Sequence, residues 1–180
     1  IRISYFYYME LIVAKNNLNA IGKDGDLMWH LSKDLQHFRQ LTRNQIVVMG
    51  RKTYASLPGG PLKNRINVII TRDPSKFNQE IQDVYFVSLE QSLLLLAKLQ
   101  KQHDKSVFII GASDIYKYFY TYCCMLHITE VDNDEEGDVY FPVSDEQIGK
   151  DCNITCKETH RDEKTNMLYS FCRYQKKIKR

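Results

Sequence analysis

Asp34 is the residue whose type and position carry the clearest chemical meaning. At about 100° per residue, one face of a predicted helix carries Leu31, Leu35, Phe38 and Leu41, and Asp34 falls within this apolar stripe. A carboxylate aimed at a core is costly unless it is paired or protonated, so Asp34 is a candidate acid–base group. The alternative is a first-turn aspartate favoured by the helix dipole. The polar side chains predicted outside the stripe are Lys33, Gln36, His37, Arg39 and Gln40.

A glycine-punctuated loop at residues 21–29 leads into this helix and ends in the only tryptophan, Trp29. A flexible loop followed by a half-buried aromatic ring and an inward carboxylate is typical of a lid over a planar ligand with polar edges. The alternative is a structural tryptophan that fills the core.

Hydroxyl groups stand beside cations at two predicted strand ends. Gly50-Arg51-Lys52-Thr53 follows a buried strand and opens a short helix, and Thr71-Arg72 ends the next strand. Cations are unfavourable at a helix N-terminus unless an anion joins them, so the repetition predicts a phosphate clamp at the carboxyl edge of a parallel sheet. Taken alone, each cation could be an ordinary surface residue. A weaker sign is Gly111-Ala112-Ser113, where small residues after a third strand permit close backbone approach to a pyrophosphate.

The elements that must position these groups predict an α/β fold. Short apolar runs bounded by polar residues or glycine, typical of strands buried on both faces, lie at residues 11–14, 46–49, 68–70, 84–87 and 107–110. Helical patterns cover 31–42, 51–57, 89–102 and 113–120, whereas 125–131, 153–158 and 168–174 are predicted as strands with no helix between them. We therefore expect a single domain with a central, mostly parallel eight-stranded sheet, an antiparallel C-terminal edge and about four flanking helices.

Length and composition narrow the class of protein further. The domain is assigned to residues 9–180, and residues 1–8 are interpreted as a non-native or upstream extension before Met9, with an extra edge strand as the alternative. No apolar run approaches a membrane span, and residues 176–180 are predicted to be a solvated basic tail, so neither a membrane nor a nucleic acid is an expected partner. The five cysteines match neither a CxxC nor a zinc spacing, which predicts reduced thiols, no metal site and a cytoplasmic protein.

In order and spacing, these segments resemble the dihydrofolate reductase family from Met9 to about Tyr174. The most specific pieces are Ile21-Gly22 followed by Trp29 and Asp34, Val48-Met49-Gly50-Arg51-Lys52-Thr53, Ile109-Ile110-Gly111, Thr129-Glu130, and Glu136-Gly137-Asp138 leading to Phe141-Pro142. The resemblance implies a dihydrofolate reductase-like fold and the NADPH-dependent reduction of 7,8-dihydrofolate to 5,6,7,8-tetrahydrofolate, by hydride transfer to C6 with protonation at N5. Such an enzyme supports one-carbon metabolism and thymidylate synthesis, binds antifolate inhibitors, and is expected to be a monomer.

The resemblance also implies roles for individual residues. Asp34 would hydrogen-bond the pterin and promote protonation of N5, with Thr129 supporting it and Trp29 completing the catalytic set. Arg65 would clamp the glutamate α-carboxylate, and the walls around the substrate rings would be Val13, Ala14, Phe38, Leu57 and Ile110. The NADPH contacts would be Ala14, Ile21, Gly22, Gly50, Arg51, Lys52, Thr53, Thr71, Arg72, Gly111, Ala112, Ser113, Asp114, Ile115 and Tyr116.

Two positions depart from the family pattern. Met28 stands where the family usually has proline, so the loop should be less restricted. Ala112 replaces the second glycine of a pair whose peptide bond is cis in the family, and we expect the Gly111-Ala112 bond to be cis here as well.

Two rival interpretations keep the fold but change the function. Another NADPH-dependent reductase on this fold, such as the reductase domain of riboflavin synthesis, does not need the set Trp29, Asp34 and Arg65. A catalytically silent nucleotide-binding module needs the phosphate clamp but not Asp34 together with Thr129. The presence of both sets favours the folate interpretation.

Overall fold

The structure is a computed structural model that describes residues 8–78 and 80–177. Residues 1–7 of the predicted extension and 178–180 of the predicted basic tail lie outside the described residues. Within the described ranges, the strands are β1 (Met9–Asn16), β2 (Ala20–Lys23), β3 (Asp26–Leu27), β4 (Ile46–Gly50), β5 (Ile66–Ile70), β6 (Val84–Val87), β7 (Val107–Gly111), β8 (Cys123–Val131), β9 (Val139–Tyr140), β10 (Cys152–Arg161) and β11 (Leu168–Lys176). The α-helices are α1 (Ser32–Thr42), α2 (Arg51–Ser56), α3 (Leu89–His103), α4 (Ser113–Phe119) and α5 (Asp145–Asp151).

Eight of the described strands form the central sheet, in the order β10-β11-β8-β1-β7-β4-β5-β6. All neighbours from β8 to β6 run parallel, and β11 runs antiparallel to both β8 and β10. The predicted α/β architecture with antiparallel C-terminal strands is confirmed. Because parallel strands end at the same edge of a sheet, the carboxyl ends of β1, β4, β5 and β7 lie together, where following loops can assemble a site.

Both faces of the central sheet are covered by helices. Successive side chains of a strand point to opposite faces, and two hydrophobic cores result. One core joins the sheet to α3, α4 and α5, and the other joins it to α1 and the region of α2. Val47 and Val48 show the alternation, because these adjacent, fully buried residues of β4 belong to different cores. Burial on both faces explains why the central strands are runs of apolar residues.

The predicted loop at residues 21–29 contains secondary structure. Strands β2 and β3 form a hairpin, and β9 pairs with the other side of β2. The turn of the hairpin is made by Asp24 and Gly25, which both have positive φ, at 52° and 81°. The expectation of an irregular loop was therefore wrong, because strands of two to four residues are too short to show an alternating pattern.

The expectation that no helix separates the C-terminal strands was also wrong, because α5 lies immediately before β10. This helix buries only Ile148, so it has no apolar periodicity to detect. Its start is marked instead by Ser144, whose hydroxyl oxygen accepts a hydrogen bond of 3.2 Å from the backbone N–H of Gln147. The Ser-x-x-Gln spacing is a capping-box signature and was the available signal.

All five cysteines are free thiols, as predicted. Cys123, Cys152 and Cys172 are buried, whereas Cys124 and Cys156 are partly exposed. No helix in the described part of the chain is both long enough and apolar enough to span a membrane.

Candidate active site

The predicted site segments meet at the carboxyl edge of the central sheet. Gly50 and Ile70 are register partners at the ends of β4 and β5, and β7 ends beside them at Gly111. Ala14 and Thr129 are partners near the ends of β1 and β8. The structure thus brings together strand ends that are far apart in the sequence.

Asp34 and Thr129 form the central polar contact of this edge. The Thr129 hydroxyl donates a hydrogen bond of 2.6 Å to Asp34 Oδ1, and the Thr129 side chain is otherwise buried. Burial raises the pKa of Asp34 above its ordinary value of 3.8, although the hydrogen bond from Thr129 lowers it in part. A carboxyl group in this environment holds a proton at higher pH than an exposed one, as an acid–base group requires.

Helix α1 presents its apolar stripe to the interior, as the helical pattern predicted. Leu31 is 4% exposed, and Leu35, Phe38 and Leu41 are partly buried. The prediction that the other polar residues lie outside the stripe was wrong for His37 alone, because its ring is half-buried and stacks on Phe171, with a distance of 4.3 Å between ring centroids. The exposed residues are Lys33, Gln36, Arg39 and Gln40.

Most of the predicted ring walls lie on the α1 face of the sheet. Phe38, Leu57 and Ile110 are partly buried against the same core, and Ala14 is also partly exposed. Val13 belongs to the opposite core and is 6% exposed, so its side chain is not grouped with these three residues. The neighbouring Ile12 packs on the α1 face instead.

Arg65 is held in place at the end of α1. Its Nε and Nη2 atoms donate to Thr42 Oγ1 at 3.2 and 3.1 Å, and Nη1 donates to the carbonyl oxygen of Lys63 at 2.8 Å. Burial, followed by the charges of Arg39 and Arg43, lowers the pKa of Arg65. A guanidinium group with fixed orientation and nearby positive charges is well suited to bind a carboxylate.

The predicted phosphate clamp is formed by exposed cations on neighbouring strand ends. Arg51 and Lys52 begin α2 directly after β4, and Arg72 follows Thr71 at the end of β5. Thr71 is nearly buried, and its backbone N–H donates to the carbonyl oxygen of Val87 at 3.0 Å. Among the described residues, no hydrogen bond or ion pair engages the side chains of the three cations, so they can bind an anion without losing a protein contact.

At the end of β7, the backbone approaches the ring of Tyr116 closely. The Gly111-Ala112 peptide bond is cis, as expected. Gly111 has φ of +114°, and a Cβ atom there would lie 3.1 Å from the ring of Tyr116. The buried Tyr116 hydroxyl donates to the carbonyl oxygen of Ile12 at 2.8 Å, and burial raises the pKa of Tyr116.

The remaining predicted cofactor residues surround this turn. A Cβ atom on Gly50 would lie 3.3 Å from Ile115 Cγ1, so α4 packs directly on the end of β4. Ser113 Oγ donates to the carbonyl oxygen of Tyr140, and Asp114 is exposed in the first turn of α4. Thr53 of α2 is partly exposed.

The β2–β3 hairpin, which carries Ile21 and Gly22, is tied to the acidic loop at residues 132–138. The backbone N–H of Asp24 donates to Asp138 Oδ2 at 2.9 Å, and the N–H of Asp138 donates to the carbonyl oxygen of Gly22 at 3.0 Å. The acidic loop therefore supports the predicted lid.

Trp29 lies between the hairpin and α1. Its ring packs against the small core of Leu31, Val131 and Tyr169. The indole Nε1 is shielded from solvent and has no hydrogen-bond partner among the described residues. A buried donor favours a nearby acceptor, so this position suits a polar edge of a ligand as well as core packing.

Asn16 is a structural residue of the site that the sequence analysis missed. It is 2% exposed, and its Oδ1 accepts hydrogen bonds from the backbone N–H groups of Leu18 at 3.1 Å and Ala20 at 2.8 Å. Its Nδ2 donates to the carbonyl oxygen of Glu135 at 2.7 Å. The predicted strand stopped at Ala14, and a polar residue directly after a buried strand was the available signal.

Comparisons with known proteins agree with this geometry. A family model described as dihydrofolate reductase matches residues 8–176. A dihydrofolate reductase of Bacillus subtilis is 34% identical over 169 residues, covering 94% of this chain and 95% of that protein, and one of Staphylococcus haemolyticus is 31% identical over 171 residues, covering 95% and 97%. The solved structure of dihydrofolate reductase from Enterococcus faecalis complexed with NADP(H) and RAB-propyl aligns with a TM-score of 0.80 at 25% identity, over 96% of this chain and 99% of that chain. The chain belongs to the dihydrofolate reductase family.

Proposed function

We propose that this chain reduces 7,8-dihydrofolate to 5,6,7,8-tetrahydrofolate with NADPH, by hydride transfer to C6 and protonation at N5. The observation that carries the proposal is the Asp34 carboxyl group, partly buried and hydrogen-bonded to Thr129 at the carboxyl edge of the sheet. The tetrahydrofolate produced supports one-carbon metabolism and thymidylate synthesis.

On the substrate side, Asp34 would bind the amino group and ring nitrogen of the pterin and favour the N5-protonated form. Its raised pKa means that it holds a proton at higher pH than an exposed aspartate does, and the Thr129 hydroxyl fixes the orientation of the carboxyl group. The unpartnered indole N–H of Trp29 supports a polar contact beside it. Arg65 would bind the glutamate α-carboxylate, and the ring walls would be Ala14, Phe38, Leu57 and Ile110, whereas Val13 packs in the opposite core.

NADPH supplies the hydride when it is bound, and the cations at the strand ends fit its phosphates. Arg51, Lys52 and Arg72 are exposed and make no side-chain ion pair within the described part of the chain. The remaining proposed contacts are Ala14, Ile21, Gly22, Gly50, Thr53, Thr71, Ala112, Ser113, Asp114, Ile115 and Tyr116. Tyr116 would act as a neutral ring, because its hydroxyl is already committed to Ile12.

We further propose that the reductase is a cytoplasmic monomer that binds antifolate inhibitors at the substrate side. Free thiols at all five cysteines are typical of proteins from a reducing compartment. The proposed substrate and cofactor contacts are all residues of one chain, which supports a monomer.

The direct test follows the absorbance of NADPH during incubation with and without dihydrofolate. We expect oxidation that depends on dihydrofolate and that is lost in Asp34→Asn. Oxidation at the same rate without dihydrofolate, or none with it, would contradict the proposal and favour a silent nucleotide-binding module.

A further inference from the structure

A groove of about 490 Å³ separates α1 from the strands beside it. Its helix wall includes His37, and its strand wall includes Phe171 of β11 together with residues of β8 and β10. Packing beneath this part of α1 is therefore incomplete. The contact that crosses the groove is the stack of the His37 ring on the Phe171 ring, with 4.3 Å between centroids and 21° between planes.

The ring of His37 lies on the same helix as Asp34, and the ring of Phe171 lies on the strand next to that of Thr129. Phe171 and Thr129 are register partners on neighbouring antiparallel strands, so their side chains share one face of the sheet. Thr129 donates its hydrogen bond to Asp34, and Asp34 precedes His37 by three residues, which places both on one side of α1. Helix and sheet are thus joined by two neighbouring contacts: the hydrogen bond between Asp34 and Thr129, and the stack of His37 on Phe171.

Apart from the packing of Leu31 and Phe38, few other contacts can fix this part of α1. The residue at the helix N-cap, Leu31, provides no side-chain hydrogen bond. Polar anchoring lies at the other end, where the Thr42 hydroxyl donates to the carbonyl oxygen of Phe38 at 2.8 Å and accepts from Arg65. The position of the first two turns relative to β8 therefore depends on packing and on the Asp34–Thr129 bond.

We propose that His37 is a positioning residue, whose ring, stacked on Phe171, holds α1 so that Asp34 stays bonded to Thr129 and shielded from water. This proposal rests on the reductase activity proposed above. It assigns His37 no contact with substrate or cofactor, and it requires the flat ring rather than a charge.

Burial, more than the charges around the groove, favours the neutral form of the His37 ring. Burial lowers the pKa of His37, and the nearby His127 and His160 lower it further, although Glu158 raises it. His127 is itself paired with Glu10 at 2.6 Å. The other charged groups that line the groove are Lys33 of α1 and Arg173 of β11. A neutral imidazole is free to stack as an aromatic ring at neutral pH.

The test compares His37→Ala, His37→Phe and the matched control Gln36→Ala, an exposed residue of the same helix and groove. For His37→Ala we expect kcat with dihydrofolate to fall about three- to tenfold, the range expected for one aromatic contact. The apparent pKa in the profile of kcat/KM against pH should move down toward the ordinary aspartate value, because water reaches Asp34. His37→Phe should restore both properties, and Gln36→Ala should leave them unchanged.

Three results would overturn the proposal. The first is a pH profile of His37→Ala that matches Gln36→Ala, even if the melting temperature falls, because a purely structural role would give that pattern. The second is a His37→Phe variant as impaired as His37→Ala. If His37→Ala does not fold, Phe171→Leu takes its place, because this variant keeps an apolar side chain but removes the ring. The third result is then a pH profile of Phe171→Leu that is the same as that of the unaltered chain. If the unaltered chain did not oxidise NADPH in the presence of dihydrofolate, the proposed function itself would be refuted.

Discussion

The two sides of the site are built in different ways. On the substrate side, the polar groups are partly buried and already engaged, as with Asp34 bonded to Thr129 and Arg65 bonded to Thr42. On the cofactor side, Arg51 and Arg72 are exposed, and no ion pair within the described residues restrains them.

This difference separates two physical tasks. Desolvated groups can have shifted pKa values and fixed directions, which catalysis needs, but their burial reduces stability. Exposed cations contribute attraction that depends on salt and can adapt to a flexible, multiply charged ligand. Substitutions of the buried polar groups on the substrate side should therefore change turnover and the pH dependence of stability, whereas substitutions of the exposed cations on the cofactor side should change binding alone.

The largest expected effect is the loss of turnover in the Asp34→Asn variant. Loss of the ionisable carboxyl should lower kcat with dihydrofolate by about 10² to 10⁴, the usual contribution of a positioned acid–base group. Affinity for NADPH, measured by fluorescence titration, should be unchanged. Retention of more than about a tenth of the activity at neutral pH would mean that Asp34 is structural, and the contrast between the two sides would fail.

On the cofactor side, Arg72→Ala should weaken NADPH binding by about 1.5 to 3 kcal/mol, as expected for a charge-assisted hydrogen bond. Binding of NADH, which lacks the 2′-phosphate, serves as the control and should hardly change. The NADPH loss should shrink at high salt because the arginine is exposed. Equal losses for the two cofactors would exclude Arg72 as the 2′-phosphate contact.

At the third strand end, Gly111→Ala should destabilise the fold by about 1 to 3 kcal/mol. The reason is the φ of +114° together with the Tyr116 ring, which lies 3.1 Å from the position of an added Cβ atom. Chemical denaturation measures the change. Ala112→Gly is the matched control, and it should alter NADPH affinity by less than about tenfold. If the two variants were equally stable, the close approach of Gly111 to Tyr116 would not constrain the site.

The smallest expected effect is on the melting temperature of Asp34→Asn. Because the folded pKa of Asp34 is raised, the unfolded chain gives up this proton more readily, and the stability due to Asp34 is lost as pH rises through the folded pKa. Asp34→Asn should therefore melt at a higher temperature than the unaltered chain at neutral pH, because the amide does not ionise. The gain should vanish below the unfolded pKa of 3.8, and a gain that is independent of pH would contradict this explanation.

The sequence predicted those parts of the structure that depend on local periodicity. Apolar runs located β4, β5 and β7, and the helical stripe placed Asp34 on the inner face of α1. The Asp34–Thr129 pair joins residues 95 positions apart, so no local pattern contains it, and only the family resemblance suggested it.

The failures also have physical reasons. A helical wheel describes one buried stripe, but α1 is contacted by β11 on a second side, which is why His37 was misplaced. The hairpin of β2 and β3 is held by its turn, by β9 and by Asp138, and its packed apolar residues, Ala20 and Ile21, are too few to form a pattern. Such elements depend on long-range contacts and leave little trace in the pattern of apolar residues.

The position of β11 inside the sheet has a consequence for the order of assembly. Among the described strands, β10 is paired to the sheet only through β11, although it precedes β11 in the chain. During synthesis, β10 must therefore wait without a partner until residues 168–176 have emerged and inserted beside β8. Phe171, the register partner of Thr129, arrives in the same step, so the Asp34 carboxyl gains its complete surroundings only when this late strand docks. A nascent chain stopped before Leu168 would expose the edge of β8 and would have no activity.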